Sequence, residues 1–237
     1  MRLLLCSLLL SLAVPAARAQ SAISATAPTN ADVLNRELAK GKGQLGDIPV
    51  SGSSFLLPYW TRGTVKMTAG TVPQPWLKYD LHGDRLLWRR PNGDSLELNT
   101  SAITEFSLGD SLRGTRCLYR RYLDAHIREL PLRTAFFEVR YDAGRSALLR
   151  KRSRTLFHAN NGPSLAGRSS DHWVETSVFY LKNTDNTIEP IRLSPKAVLA
   201  VLGKAKAPAL QAYITRENLD LSAEADIVKL LKYYDTL

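Results

Sequence analysis

The sequence predicts a mainly β protein, built as an antiparallel meander, barrel or sandwich, with three short α-helices at its C-terminal end. From about residue 53 to residue 193, short runs of β-branched and aromatic residues alternate with turn-forming residues, and no segment of helix length interrupts them. From residue 194 onward the apolar residues follow a helical spacing instead. Hydrophobic residues make up 44% of the 237-residue chain, which is enough for a sizeable core.

The first 19 residues have the features of a secretory signal peptide. Arg2 provides a positive charge, Leu3–Val14 form an apolar run too short to span a bilayer, and Ala17–Ala19 form a small-x-small cleavage pattern. We therefore expect cleavage before Gln20. The mature protein is then periplasmic, outer-membrane-associated or secreted.

Residues 20–52 are predicted to form a flexible segment with one weak helix. Gln20–Thr29 are nearly all Ser, Ala, Thr and Pro, which bury too little surface to offset the entropy of ordering them. Asn30 is a candidate cap for a short helix over Ala31–Lys40. Cys117 is the only cysteine left after cleavage, so an intramolecular disulfide is excluded, and we interpret Cys117 as an apolar core residue.

Residues 53–193 are predicted to form an antiparallel β unit. Turn formers connect its strands, because Gly and Asn tolerate the positive φ that tight hairpins require. These connectors are His82–Asp84, Pro91–Asp94, Asp142–Gly144 and Asn183–Asn186. The predicted strands are Phe55–Trp60, Thr64–Thr68, Trp76–Leu81, Leu86–Arg90, Ser95–Leu98, Ile103–Leu108, Arg116–Leu123, Ala135–Tyr141, Ala147–His158, Trp173–Lys182 and Thr187–Leu193.

Residues 194–237 are predicted to form a helical subdomain packed on the β unit. Ser194 caps the first helix, Pro195 follows at its first position, and Gly203 ends it. Pro208 begins the second helix, and Ser222 caps the third. Each helix is too short to be stable alone, so apolar faces such as Ile227, Leu230, Leu231 and Tyr234 must be buried.

The order of three aromatic and apolar segments resembles a group of small exported, β-rich proteins from Gram-negative bacteria of the Bacteroidota type, for which no activity is assigned. The segments are Trp76-Leu77-Lys78-Tyr79-Asp80, Phe136-Phe137-Glu138-Val139 and the C-terminal stretch Ile227–Tyr234. The resemblance covers residues 53–237 and implies a periplasmic or outer-membrane-associated role. It transfers no catalytic residue.

No common catalytic, metal or nucleotide signature occurs in the sequence. The four histidines have no metal-ligand spacing, and neither a serine-nucleophile motif nor a phosphate-binding loop is present. We therefore predict no catalytic residue, no metal site and no cofactor. No apolar run after the signal peptide has the length of a transmembrane segment, and no nucleic-acid recognition motif occurs.

One segment holds the excess of positive charge. Between Arg113 and Arg154 there are 12 basic and 4 acidic residues, a net charge of +8, and the rest of the mature chain is balanced. Arginine favours phosphate and carboxylate because its guanidinium binds both oxygens of such groups. Strand alternation places arginines on shared faces, so the predicted anion-binding residues are Arg116, Arg120, Arg150, Arg152 and Arg154.

Three functions are compatible with this sequence. The leading hypothesis is a non-enzymatic cell-envelope protein that binds an anionic glycolipid, a lipid headgroup, an acidic polysaccharide or an envelope protein through a basic surface. Nucleic acid is not an expected partner. The alternatives are a hydrolase without a local sequence signature, which would gather the histidines and acids in one pocket, and a structural component of an envelope assembly.

Overall fold

A single large sheet dominates the computed structural model, which describes residues 50–158 and 170–237. The predicted signal peptide, the weak helix over Ala31–Lys40 and most of the connection after His158 lie outside the described residues. The mainly β fold with three short C-terminal helices is confirmed. Among the described residues, no helix is long and apolar enough to cross a membrane.

The described part of the sheet has eleven strands in the order β4-β3-β2-β1-β5-β6-β8-β9-β10-β11-β7. Almost all neighbours are antiparallel, as the short connections predict. The strands are β1 Thr61–Met67, β2 Gly70–Asp80, β3 Arg85–Arg89, β4 Ser95–Glu97, β5 Ile103–Asp110, β6 Thr115–Arg120, β7 His126–Ile127, β8 Phe137–Tyr141, β9 Ala147–Phe157, β10 His172–Lys182 and β11 Thr187–Ile191.

Two features of the sheet differ from the prediction. The segment Phe55–Trp60 is not a strand, because it pairs with β2 only at Phe55 and contains Pro58, which has no N–H to donate. The sheet is also mixed, since β7 pairs with β11 in a parallel arrangement. Strands that are distant along the chain are not constrained by a hairpin to run antiparallel.

The predicted turn residues do form the tight connections. Asp84 between β2 and β3, Gly93 between β3 and β4, and Asn186 between β10 and β11 all have positive φ. Gly63 has a different role: β1 bulges against β2 at this residue, and on its other side Gly63 of β1 pairs directly with Leu108 of β5. A Cβ atom at Gly63 would lie 2.0 Å from the carbonyl oxygen of Ser107, so only glycine permits this approach of the two strands.

The sheet curls so that the turn after β2 reaches the free edge of β9. β8 covers β9 only as far as Arg150, which leaves the later backbone groups of β9 without a strand on that side. His82 fills part of this gap through its Nδ1 atom, which lies 2.9 Å from the carbonyl oxygen of Arg154. Lys151 Nζ also donates to Asp84 Oδ1 at 2.8 Å, so the curl is tied by side chains.

Three apolar clusters fill the part of the fold that the structure describes. The curled strands β1–β6 enclose the first cluster, with Tyr79, Phe106 and Tyr119 in ring contact. The second lies between β8–β11 and the connection after β6, and includes Phe137 and Leu149. The third lies between the opposite face of these strands and the helices, and includes Tyr141, Leu148, Leu181, Ile227, Leu230, Leu231 and Tyr234.

The three C-terminal helices are Pro195–Leu202 (α1), Ala207–Arg216 (α2) and Glu224–Tyr234 (α3). The predicted cap of α1 is confirmed, since Ser194 Oγ accepts a hydrogen bond from the backbone N–H of Ala197 at 3.4 Å. The predicted cap of α3 is wrong. The N-cap of α3 is Ala223, while the hydroxyl of Ser222 donates to Asp220 Oδ1 of the preceding turn.

Asp235, directly after α3, joins the helices to the turn between β8 and β9. Its carboxylate accepts hydrogen bonds from the Tyr141 hydroxyl at 2.7 Å, the backbone N–H of Arg145 and both the N–H and the hydroxyl of Ser146. A Cβ atom at Gly144 would overlap this carboxylate. The C-terminal helices are therefore held by a polar anchor as well as by their apolar face.

Candidate functional site

The five arginines predicted to bind an anion lie on two faces of the sheet. Arg120 pairs with Phe137, whereas its neighbour Tyr119 pairs with Glu138, which in turn pairs with Arg150. Directly paired residues share a face of a sheet, and successive residues along a strand alternate. The arginines therefore divide into two groups: Arg150, Arg152 and Arg154 on one face, and Arg116 and Arg120 on the other.

Each member of the β9 group Arg150, Arg152 and Arg154, here called the arginine stripe, is bound to a carboxylate. Glu138 is fully buried and accepts hydrogen bonds from Arg150 Nε at 2.9 Å and Nη2 at 2.7 Å. Glu175 lies between the other two, 2.7 Å from Arg152 Nη2 and 2.8 Å from Arg154 Nη2. Each arginine of the stripe is thus ion-paired with a carboxylate of a neighbouring strand.

The electrostatics of the stripe are those of internal ion pairs. Burial disfavours the charged form of Arg150, but the hydrogen bonds and charge of Glu138 outweigh it and raise the pKa of the guanidinium. Burial likewise opposes ionisation of Glu175, but hydrogen bonds from Arg154 and Arg152 lower its pKa. The stripe side chains are only 20–24% exposed. Anion binding by the stripe stays a prediction, and its visible role is to hold β8, β9 and β10 together.

The two predicted arginines on β6 are in different situations. Arg120 Nε lies 2.6 Å from Glu105 Oε2, and its Nη1 contacts Asp142. Arg116 is exposed and has no ion pair among the described residues. The structure therefore does not join the five arginines into one anion-binding surface.

A different group of cations lies on the exposed face of β1, β2 and β3. The strand register places Arg62, Trp76 and Arg89 side by side in one row, and all three side chains are exposed. The guanidinium of Arg62 lies 4.4 Å from the centre of the Trp76 ring. Because this row continues across three paired strands, Trp76 lies between Arg62 and Arg89 in the sheet.

The next row of the same face adds a lysine between two aromatic rings. Lys78 Nζ lies 4.5 Å from the ring centre of Phe55 and 5.9 Å from that of Trp60. Burial lowers the pKa of the Lys78 ammonium. At these distances the rings stabilise the cation through their π-electrons while leaving its carboxylate-binding capacity unused.

Few acids compete for these cations. Asp80 and Glu97 lie on the same face, but Arg85 binds both, at 2.8 Å and 3.6 Å. Across residues 50–158 and 170–237, no ion pair engages Arg62, Lys78 or Arg89. Arg62 Nη1 donates to the carbonyl oxygen of Gln74 at 2.6 Å, but none of these three positive charges is compensated by a carboxylate of the described residues.

The exposed rows border an open groove of about 510 Å³, a volume typical of ligand sites in proteins. Its far wall is the turn between β3 and β4. The backbone N–H of Arg90 donates to the carbonyl oxygen of Asp94 at 2.8 Å, and Arg90 Nη2 binds the Asp94 carboxylate at 3.0 Å, so the turn has a defined shape. We call this site the Trp–Arg groove; it is lined by Trp60, Trp76, Arg89, Arg90, Pro91 and Gly93.

A second open groove, of about 580 Å³, lies beside β7 at the sheet edge. Its charged lining is mixed, with Asp124 next to Arg128 and Arg133, and Arg133 Nε is engaged by the carbonyl oxygen of Ile127 at 2.8 Å. Its lining residues include no aromatic ring other than that of His126. This groove has an acid among its lining residues and lacks the indole rings of the Trp–Arg groove.

The histidines and Cys117 do not form a catalytic arrangement. His158, directly after β9, is exposed, and its Nδ1 lies 2.8 Å from Oδ2 of Asp171, directly before β10. His82 contacts the backbone carbonyl oxygen of Arg154. Burial, together with the charge of Glu138, raises the pKa of the Cys117 thiol, which makes the thiolate nucleophile scarcer. In the described ranges, no group of three or more His, Cys, Asp or Glu side chains has the geometry to hold a metal ion.

Our sequence analysis did not identify the Trp–Arg groove, although part of its signal is local. Counting outward from the predicted turn His82–Asp84 places Asp80 opposite Arg85 and therefore Trp76 opposite Arg89. The position of Arg62 depends on the bulge at Gly63, which no local pattern reveals. Residues 113–154 have the larger charge excess, +8, whereas residues 60–93, which include the groove, have six basic and two acidic residues and a net charge of +4.

The chain matches no protein-family model, no curated protein and no solved structure. Its function must therefore be inferred from its own surface. The resemblance to exported Bacteroidota-type proteins stays a prediction.

Proposed function

We propose that this chain is an exported cell-envelope protein that has no catalytic role and binds an anionic partner through the Trp–Arg groove. The observation that carries the proposal is the exposed row of Arg62, Trp76 and Arg89, with Lys78 beside it and no acidic side chain engaging its cations in the described part of the chain. Such cations attract an anion without first having to break an internal ion pair.

The sequence supports the location of this binding protein. The signal-peptide pattern of residues 1–19 and the predicted cleavage before Gln20 direct the protein out of the cytoplasm. Anionic glycolipids, lipid headgroups and acidic polysaccharides are the abundant anions of that environment. Mass spectrometry of the protein from the envelope fraction tests this point: an N-terminus at or near Gln20 supports export, and an intact Met1 terminus on cytoplasmic protein contradicts it.

Binding to a panel of envelope anions tests the function itself. The panel contains lipopolysaccharide, phosphatidylglycerol vesicles and polygalacturonate, each titrated at increasing NaCl concentration. We expect binding to at least one of them to weaken steeply with salt, because exposed charges are screened over about 8–10 Å at physiological ionic strength.

The matched variants identify the surface responsible. The double variant Arg62→Gln/Arg89→Gln should lose most of the binding, whereas Arg192→Gln, an exposed arginine after β11, should keep it. Salt-dependent binding that survives the double variant would assign the partner to another surface. Absence of binding to every anion in the panel would refute the proposed function.

A further inference from the structure

The spacing of groups across the Trp–Arg groove carries information about the partner. Neighbouring strands are about 4.8 Å apart, so Arg62 on β1 and Arg89 on β3 project from strands about 10 Å apart, with Trp76 between them. A polymer that crosses these strands meets a guanidinium, an indole face and a second guanidinium in turn. The repeat of an extended chain of pyranose rings is comparable to the strand spacing.

The chemistry of these groups matches a sugar that carries a carboxylate. An exposed aromatic ring packs against the apolar C–H face of a pyranose, and the indole of Trp76 is 42% exposed. A guanidinium binds both oxygens of a carboxylate, and Arg89 has no such partner among the described residues. A lipid phosphate would bind the cations but would not account for the exposed indole rings.

We infer that the Trp–Arg groove binds a segment of an acidic polysaccharide, with a uronic-acid ring stacked on Trp76 and flanking carboxylates bound by Arg62 and Arg89. This inference rests on the proposed function and names its partner. Lys78, held between Phe55 and Trp60, provides a further positive charge in the adjacent row. The open shape of the groove allows a long chain to pass through rather than end in it.

The test compares four probes on the intact mature protein by calorimetry: polygalacturonate, polyglutamate, neutral dextran and phosphatidylglycerol vesicles. We expect polygalacturonate to bind most tightly and dextran not to bind. Trp76→Ala should weaken polygalacturonate binding on the order of tenfold, because it removes the large apolar ring face on which the sugar is stacked. Trp76→Phe should retain part of the affinity.

A matched aromatic control distinguishes the loss of stacking on Trp76 from a general loss of folded structure. Phe157→Ala removes an exposed ring elsewhere on the sheet and should leave the affinity unchanged. If Trp76→Ala fails to fold, Trp76→Phe and Arg89→Gln supply the same contrast with smaller changes. Chemical denaturation of every variant verifies that affinity losses are not stability losses.

Several outcomes would overturn the inference while leaving the proposed function intact. One is equal binding of polygalacturonate and polyglutamate with no effect of Trp76→Ala, which would mean that only charge is read. Another is salt-dependent binding to vesicles alone. Failure of all anionic probes would instead refute the inference and the proposed function together.

Discussion

The arginine stripe and the Trp–Arg groove contain the same residue type in opposite roles. In the stripe, Arg150 and its neighbours are half-buried and bound to Glu138 and Glu175. At the groove, the lining residue Arg89 and the adjacent Arg62 are exposed, and Arg62 lies against an indole rather than a carboxylate. The comparison shows that the density of charge along a sequence does not measure the charge that is available to a partner.

The difference has an energetic basis. A buried carboxylate is costly unless it is paired, so arginines next to Glu138 stabilise the fold by compensating it. An exposed cation beside an aromatic ring adds about 0.5–1 kcal/mol and is free to bind elsewhere. Substitutions in the stripe should therefore change stability, and substitutions in the groove should change binding.

Deleting Ser222–Leu237 should have the largest effect on stability. These residues pack against β8–β11, the strands that include the stripe. The deletion removes Glu224, which contacts Arg140, and four buried anchors of about 1.5–3 kcal/mol each if fully buried. Their total is comparable to the stability of a whole domain, about 5–15 kcal/mol. We expect no cooperative unfolding transition by circular dichroism. The exposed substitution Lys232→Ala on α3 is the control, and a truncated protein that melts at the parent temperature would contradict the prediction.

Glu138→Ala should be the most damaging single substitution in the stripe. It leaves the guanidinium groups of Arg140 and Arg150 without their buried partner, and we expect a loss of about 2–4 kcal/mol in the free energy of unfolding, somewhat reduced by the partial exposure of the arginines. Urea denaturation measures the change. Glu97→Ala, which removes an exposed acid 3.6 Å from Arg85, should cost under about 0.5 kcal/mol. Equal losses would show that Glu138 is not a structural ion-pair centre.

Two sets of arginine substitutions compare the stripe and the groove directly. Replacing Arg150, Arg152 and Arg154 by Gln should lower the free energy of unfolding by about 1–3 kcal/mol, because Glu138 loses one of its compensating charges. Arg62→Gln/Arg89→Gln should stay within about 0.5 kcal/mol of the parent, as exposed charges contribute little. If the stripe variant instead kept full stability and lost anion binding, the stripe would be the binding surface, as the sequence predicted.

The smallest expected effect is a pH dependence from Glu175. Its pKa is lowered in the folded state, so its ion pairs stabilise the fold above the unfolded pKa of about 4.3, and this contribution is lost as the pH falls through the folded pKa. The stability difference between the parent and Glu175→Gln should be constant above about pH 5 and shrink below about pH 4. It should not exceed about 1 kcal/mol, because the pair is partly exposed. Glu189→Gln, an exposed acid on β11, should show no such shrinkage.

Much of the fold could be predicted because its signals are local. Turn residues such as Asp84, Gly93 and Asn186 have the positive φ that their residue types permit, and Ser194 caps α1 as its type and position indicate. The error at Ser222 is also local, since Asp220 competes for its hydroxyl. Local patterns thus predicted the cap at Ser194 but not the choice of Ser222 between the helix and Asp220.

The sequence by itself determined the fold class, the helical C-terminal part and the position of the charge excess, because periodicity, turn chemistry and charge are properties of short segments. Only the tertiary structure decided which charges are free. The carboxylates that pair with the stripe, Glu138 and Glu175, come from β8 and β10. The groove depends on a bulge at Gly63 that aligns β1 with β2. Ion pairing and strand register join distant parts of the chain, and for that reason a count of arginines along the sequence does not show that Arg150, Arg152 and Arg154 are paired with carboxylates while Arg62 and Arg89 are not.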